Sequence, residues 1–86
     1  MDLSVVVVSW NTRDLLARCL ESVLSTAPSD LSKEIVVVDN ASEDGTADMI
    51  QDRFPQVRLL RNETNRGFAA ASNQALEAAR GQLLFL

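Results

Sequence analysis

The stretch Glu34-Ile35-Val36-Val37-Val38-Asp39-Asn40-Ala41-Ser42-Glu43-Asp44-Gly45-Thr46 decides the fold. Ile35 to Val38 is a continuous β-branched run, the pattern of a strand buried on both faces. Asp39 and Asn40 stand where that run ends, and Ser42, Asp44, Gly45 and Thr46 carry turn and helix-start chemistry. A strand that delivers a carboxylate and an amide to its carboxyl end, just before a helix, is how open α/β sheets build ligand sites. The plainer reading makes Asp39 and Asn40 caps of a turn. This stretch alone leaves both open.

Working outward, Leu3 to Ser9 reads as a first strand, near-continuously apolar and therefore central in its sheet. Asn11 or Thr12 can cap a helix whose apolar stripe is Leu15, Leu16, Cys19, Leu20, Val23 and Leu24. Cys19, within that stripe, reads as a small core residue rather than a reactive thiol. Pro28, Ser29 and Asp30 close this helix. After the central stretch, Asp44 or Ser42 caps a second helix that turns Met49, Ile50 and Phe54 inward until Pro55 stops it. Val57 to Leu60 is a short third strand, and 61–67 a polar loop. The third helix places Phe68, Ala71 or Ser72, Ala75, Leu76 and Ala79 on one side, and its alanines let it lie close to a sheet. Gly81 is placed for a left-handed C-cap, and Leu83 to Leu86 begins a fourth strand.

The order β-α-β-α-β-α-β with short links predicts an α/β three-layer fold with a parallel sheet and right-handed crossovers. Every strand-to-helix loop then lies on one edge. That edge collects Ser9-Trp10-Asn11, Asp39-Asn40-Ala41-Ser42 and the Asn62 to Gly67 loop. The set is mostly amides and hydroxyls with one carboxylate, which suits a base and ribose, and nearby helix starts offer N–H groups to phosphate. Trp10 is expected to pack at its strand end. Neither a Gly-x-Gly-x-x-Gly fingerprint nor a Gly-Lys-Ser/Thr P-loop is present.

Composition narrows the function further. The 86 residues hold one small domain or part of a larger one, and 47% of them are hydrophobic, enough for a core. Eight basic against twelve acidic side chains leave a net charge of −4 without a Lys/Arg cluster, which argues against nucleic acid as a partner. The absence of histidine removes Ser-His-Asp triads and His-based zinc sites from this stretch. One cysteine permits no internal disulfide. The first apolar run is too short for a signal peptide and no segment reaches transmembrane length, so a cytoplasmic location is expected. The sequence stops inside an apolar run, from which the front part of a longer protein is expected.

Three motifs carry a resemblance. Ser-Val-Val-Val-Val-Ser-Trp-Asn at 4–11, Val-Val-Val-Asp-Asn-Ala-Ser-Glu-Asp-Gly-Thr at 36–46 and Asn-Arg-Gly-Phe-Ala-Ala-Ala-Ser-Asn at 65–73 stand in the order and spacing of family 2 glycosyltransferases. The chain resembles bacterial rhamnosyltransferase-like members most. The resemblance implies a GT-A (Rossmann-like) fold, of which residues 1–86 are the N-terminal nucleotide-sugar-binding part. It implies donor contacts from Ser9 and Asn11 at the first strand end and from Asp39 and Asn40 at the second. Asn65, Gly67 and Asn73 follow in the loop-to-helix segment beside the donor, Asn73 as a brace for neighbouring loops. The plainer roles are a helix cap for Asn65, turn geometry for Gly67 and a satisfied helix amide for Asn73. Many members have a second aspartate where this chain has Asn40, which leaves uracil and thymine both open as the base.

The resemblance further implies a UDP- or dTDP-sugar donor, transfer of a hexosyl or rhamnosyl group with inversion, and an acceptor glycan or lipid-linked saccharide. Cell-wall or polysaccharide biosynthesis is the implied setting, at the inner face of the membrane. A divalent Mg or Mn ion is implied with its Asp-x-Asp ligands, and the catalytic base, beyond this chain. The 86 residues alone are therefore expected to be inactive. A non-catalytic nucleotide-binding module is the competing reading. A receiver-like signalling domain fits poorly, because the first strand ends in Ser9-Trp10-Asn11 and the third in Arg61-Asn62 where acidic residues are needed.

Overall fold

The computed structural model describes residues 3–26 and 33–85. Four strands and three helices alternate: β1 (Leu3–Ser9), α1 (Arg13–Thr26), β2 (Lys33–Asp39), α2 (Thr46–Arg53), β3 (Arg58–Arg61), α3 (Gly67–Ala78) and β4 (Gln82–Phe85). The strands form one sheet in the order β3-β2-β1-β4, every pairing parallel. β1 and β2 pair along their whole lengths, from Leu3 opposite Lys33 to Ser9 opposite Asp39. The expected α/β three-layer order is therefore the observed one, with β1 in the interior of the sheet.

The valine runs explain why these strands are central. Side chains alternate between faces along a strand, and both faces here are covered. Val5, Val7, Ile35 and Val37 pack with Leu16, Ala17 and Leu20 of α1 and with Ile50, Phe54 and Val57. Val6, Val36 and Val38 pack with Ala71 and Ala75 of α3. Each fully buried valine contributes about 1.5–3 kcal/mol relative to exposure. The chain runs β1-β2-β3 in one direction and then returns past β1 to β4. Right-handed crossovers in opposite directions put α1 and α2 on one face and α3 on the other. The reversal lies between β1 and β4, and ligands of open α/β sheets bind outside the carboxyl ends of the strands at such a point.

Several expected positions differ. α1 turns Leu16, Ala17 and Leu20 to the sheet and leaves Leu15 on its flank, 68% exposed beside an open apolar groove. A helix resting on a sheet buries a narrower arc than the full apolar stripe, so Leu15 falls outside it and Cys19 is only half-buried. On α3 the small pair Ala71 and Ala75 makes the contact, which leaves Phe68 72% exposed and Leu76 exposed as well. Trp10 is not packed at the end of β1 but stands 54% exposed. β3 begins one residue later than expected, with Val57 packing in the core just before it. Pro28, Ser29, Asp30 and Leu86 fall outside the described residues.

Gly81 is not left-handed; the left-handed glycines among the described residues are Gly45 and Gly67. α3 ends because Ala79 turns extended, and the next two N–H groups find side-chain partners. Arg80 N donates to Glu34 Oε2 at 2.7 Å and Gly81 N to Ser4 Oγ at 2.8 Å. Ser4 Oγ in turn donates to Glu34 Oε2, and Arg58 reaches both Glu34 Oε1 and the Ala78 carbonyl. Burial opposes ionisation of Glu34, but the Ser4 hydroxyl, the Arg80 N–H and the Arg58 guanidinium outweigh it and hold the carboxyl at about 2. This cluster fastens the edge opposite the candidate site.

Candidate functional site

The carboxyl ends of β1, β2 and β3 are tied together by backbone. Asn40 N donates to Ser9 O at 2.8 Å and Asn62 N to Asp39 O at 2.9 Å. Asp39, 1% exposed, spends both carboxylate oxygens on one residue: Oδ1 accepts the Ser42 hydroxyl at 2.6 Å and Oδ2 the Ser42 N–H at 3.1 Å. This turn forces Ala41 to a φ of 63°. Asn11, in the loop after β1, has a φ of 51°. Left-handed non-glycine residues are uncommon and concentrate at ligand sites, and here one follows each of the two central strands.

The two loops are stitched to each other. Asn11 N donates to Ser42 Oγ at 2.8 Å, and Asn11 Oδ1 accepts Glu43 N at 2.7 Å. Buried Ser9 shares a hydroxyl contact of 3.1 Å with Thr12. Asp44 serves two helices at once: Oδ2 accepts the first N–H of α1, from Arg13, at 3.0 Å, and Oδ1 accepts the first N–H of α2, from Thr46, at 3.1 Å. The Thr46 hydroxyl also donates to it. That hydroxyl and the Arg13 N–H lower the Asp44 pKa below its ordinary value. Asp44 thus binds the starts of both helices from outside them. The N-cap position of α2, expected for Asp44 or Ser42, is held by left-handed Gly45. The start of α1, where Asn11 or Thr12 was expected, receives the same carboxylate. The starts of α1 and α2, expected to face phosphate, already hold this carboxylate. α3 carries no acidic residue in its first turn.

Asn40, 3% exposed, centres a second set of bonds. Its Oδ1 accepts Asn62 Nδ2 at 2.9 Å and Arg66 N at 3.3 Å, and its Nδ2 donates to Gly67 O at 3.2 Å. Asn62 and Gln74 exchange paired amide bonds of 2.8 Å each. Asn65 caps the start of α3 by accepting Gly67 N at 2.8 Å, and Gly67 takes a φ of 82°. A Cβ at Gly67 would meet nothing within 4 Å, so the dihedral, not space, calls for glycine. Asn73 is exposed on α3, and its neighbour Gln74 bonds to Asn62.

Ser9, Asn11, Asp39, Asn40, Asn65 and Gly67 therefore share one edge, joined by the bonds above, while Asn73 points out from α3. Beside them opens a 390 Å³ cleft lined by Ala41, Ser42, Glu43, Arg61, Asn62 and Glu63. Its floor offers backbone and amide hydrogen bonding. Among the described residues no cluster of three or more acidic, cysteine or histidine side chains is placed to hold a metal ion.

The family model for glycosyl transferase family 2 matches residues 4–86. The chain belongs to this family. Among curated relatives, an uncharacterized glycosyltransferase, YfnE, of Bacillus subtilis is 40% identical over 98% of the chain and 22% of its own length. The succinoglycan biosynthesis protein ExoO of Rhizobium meliloti is 38% identical over 94% of the chain and 23% of its own length. Among solved structures, Staphylococcus aureus TarS residues 1–349 in complex with UDP superposes with a TM-score of 0.88 at 29% identity, covering all of this chain and 27% of that one. The mannosyltransferase PcManGT of Pyrobaculum calidifontis, in complex with GDP-Man and Mn2+, has a TM-score of 0.78 at 32% identity over 91% of this chain and 24% of its own. The fold is that of GT-A glycosyltransferases, and this family 2 chain spans about a quarter of the length of the relatives it matches.

Proposed function

We propose that residues 1–86 are the nucleotide-sugar-binding part of a glycosyltransferase, with Ser9, Asn11, Asp39, Asn40, Asn65, Gly67 and Asn73 around the donor. The observation that carries this reading is the stitched loop cluster on Asp39 and Asn40, at the carboxyl ends of the parallel strands. The likeness to TarS, known in complexes with UDP and with UDP-GlcNAc, supports a nucleoside diphosphate as the ligand. The donor is a UDP- or dTDP-sugar, and the group transferred with inversion is a hexosyl or rhamnosyl unit. The acceptor is a glycan or lipid-linked saccharide, met by residues outside this chain. Relatives named for succinoglycan and teichuronic acid biosynthesis support polysaccharide or cell-wall assembly, at the cytoplasmic side of the membrane. No helix among the described residues is long and apolar enough to cross a membrane.

A divalent ion, when bound, neutralises charge on the leaving diphosphate. Its ligands and the catalytic base lie in the remaining part of the parent protein, so residues 1–86 bind donor without transferring sugar. Within this chain the chemistry is positioning. Asp39 holds the Ala41–Ser42 turn, and the Ser42 hydroxyl passes that order to the Asn11 loop. The test is Asp39→Ala in the full-length parent, with donor affinity measured by calorimetry and folding checked by circular dichroism. Donor binding weakens by about 1–3 kcal/mol, the usual cost of stranding buried polar groups. Unchanged affinity in a folded variant refutes the role given to Asp39.

A further inference from the structure

We propose that Gln74, acting through Asn62 and Asn40, is a positioning residue that holds the 62–67 loop in its nucleotide-binding shape; this rests on the nucleotide reading above. Three side-chain amides from three elements form one relay. Asn40 follows β2, Asn62 follows β3 and Gln74 lies in the second turn of α3. Each amide has a definite polarity. Arg66 N is a donor and Gly67 O an acceptor, so Asn40 must turn Oδ1 to the first and Nδ2 to the second. Asn62 must then present Nδ2 to Asn40, which leaves its Oδ1 in need of a donor. Gln74 Nε2 supplies that donor at 2.8 Å, while Gln74 Oε1 accepts from Asn62 Nδ2 at the same distance. Reversing any one amide sets donor against donor or oxygen against oxygen.

The relay ends at the cleft. Asn62 lines it beside Ala41 and Ser42, and the Arg66 and Gly67 backbone that Asn40 grips begins α3, whose first turn has no acidic residue. Apolar side chains would fill these positions at comparable stability. A fully satisfied polar relay instead selects one loop conformation. An aspartate in place of Asn40 would have no hydrogen for the Gly67 carbonyl. Gln74 is not a contact residue here, since Asn62 stands between it and the cleft.

The experiment compares the wild-type chain with Gln74→Leu and Gln74→Glu. It reads UDP affinity by calorimetry and hydrogen exchange at the Arg66 and Gly67 amides by NMR, with unfolding midpoints as a control on folding. Gln74→Leu should weaken UDP binding about tenfold and speed exchange at Arg66, whose N–H is bonded to Asn40. Gln74→Glu keeps the acceptor for Asn62 Nδ2 and should fall between Leu and wild type in both readouts. A merely structural role lowers the midpoint and leaves UDP affinity unchanged in the folded fraction, which overturns the proposal. Unchanged Arg66 exchange in either folded variant overturns it as well. If wild type itself ignores both UDP and dTDP at millimolar concentration, the nucleotide reading falls and takes this inference with it; a normal wild-type affinity that Gln74 does not affect removes this inference alone.

Discussion

Ala41 has a backbone that an L-residue adopts at a cost of about 1–2 kcal/mol, because Asp39 draws Ser42 back over it with two hydrogen bonds. Glycine removes that cost but enters folding from a less ordered unfolded chain, a penalty of about 0.5–1 kcal/mol. Ala41→Gly is therefore expected to be neutral or to stabilise by up to about 1 kcal/mol, and Ala41→Val to destabilise by more than about 1 kcal/mol. Urea unfolding of the two variants checks both signs. At this scale the sequence was informative where a residue type stands alone: Asp39 and Asn40 end an unbroken valine run, and Gly67 follows an Asn-Arg pair. It was silent on Gln74. Its partner Asn62 lies twelve positions away on another element, and no periodicity singles out one glutamine on a polar helix flank.

Among the elements, β2 is fastened at both ends by carboxylates with opposite duties. Asp39 shapes the site at one end. Glu34 at the other joins β1, β3 and the end of α3 through Ser4, Arg58 and Arg80. Its folded pKa of about 2 lies below the ordinary 4.5. A depressed carboxyl stabilises the fold above the unfolded pKa, and that contribution, on the order of 2–3 kcal/mol, is lost as pH falls from about 4.5 toward 2. Chemical unfolding between pH 6 and pH 3, values about the window expected from this linkage, should show wild type losing stability. Glu34→Gln should be less stable at the upper pH and flatter across the range. The order and type of the elements were legible because valine runs and helical stripes alternate cleanly. Helix ends and buried arcs were not: Gly81 yielded its expected cap to Ser4 and Glu34, and Leu15 lay just outside the arc that a flat sheet can cover.

For the whole molecule, the parallel sheet gathers the site at the carboxyl ends of β1, β2 and β3, and apolar side chains stand exposed around it. Among the described residues, Leu15 on α1, Phe68 and Leu76 on α3 and Trp10 after β1 are the large exposed hydrophobics. Apolar surface of this kind favours association. Sedimentation velocity should find the 86-residue chain self-associating at micromolar to millimolar concentration, and Leu15→Lys with Phe68→Lys shifting it toward monomer. A wild-type chain that stays monomeric throughout contradicts this. The most direct test of nucleotide binding itself is a UDP titration of the isotopically labelled chain followed by NMR. The account predicts saturable shifts confined to residues 9–12, 39–44 and 62–68. No shifts with either UDP or dTDP at millimolar concentration, or shifts centred on Ser4, Glu34 and Arg58 at the opposite edge, would contradict it.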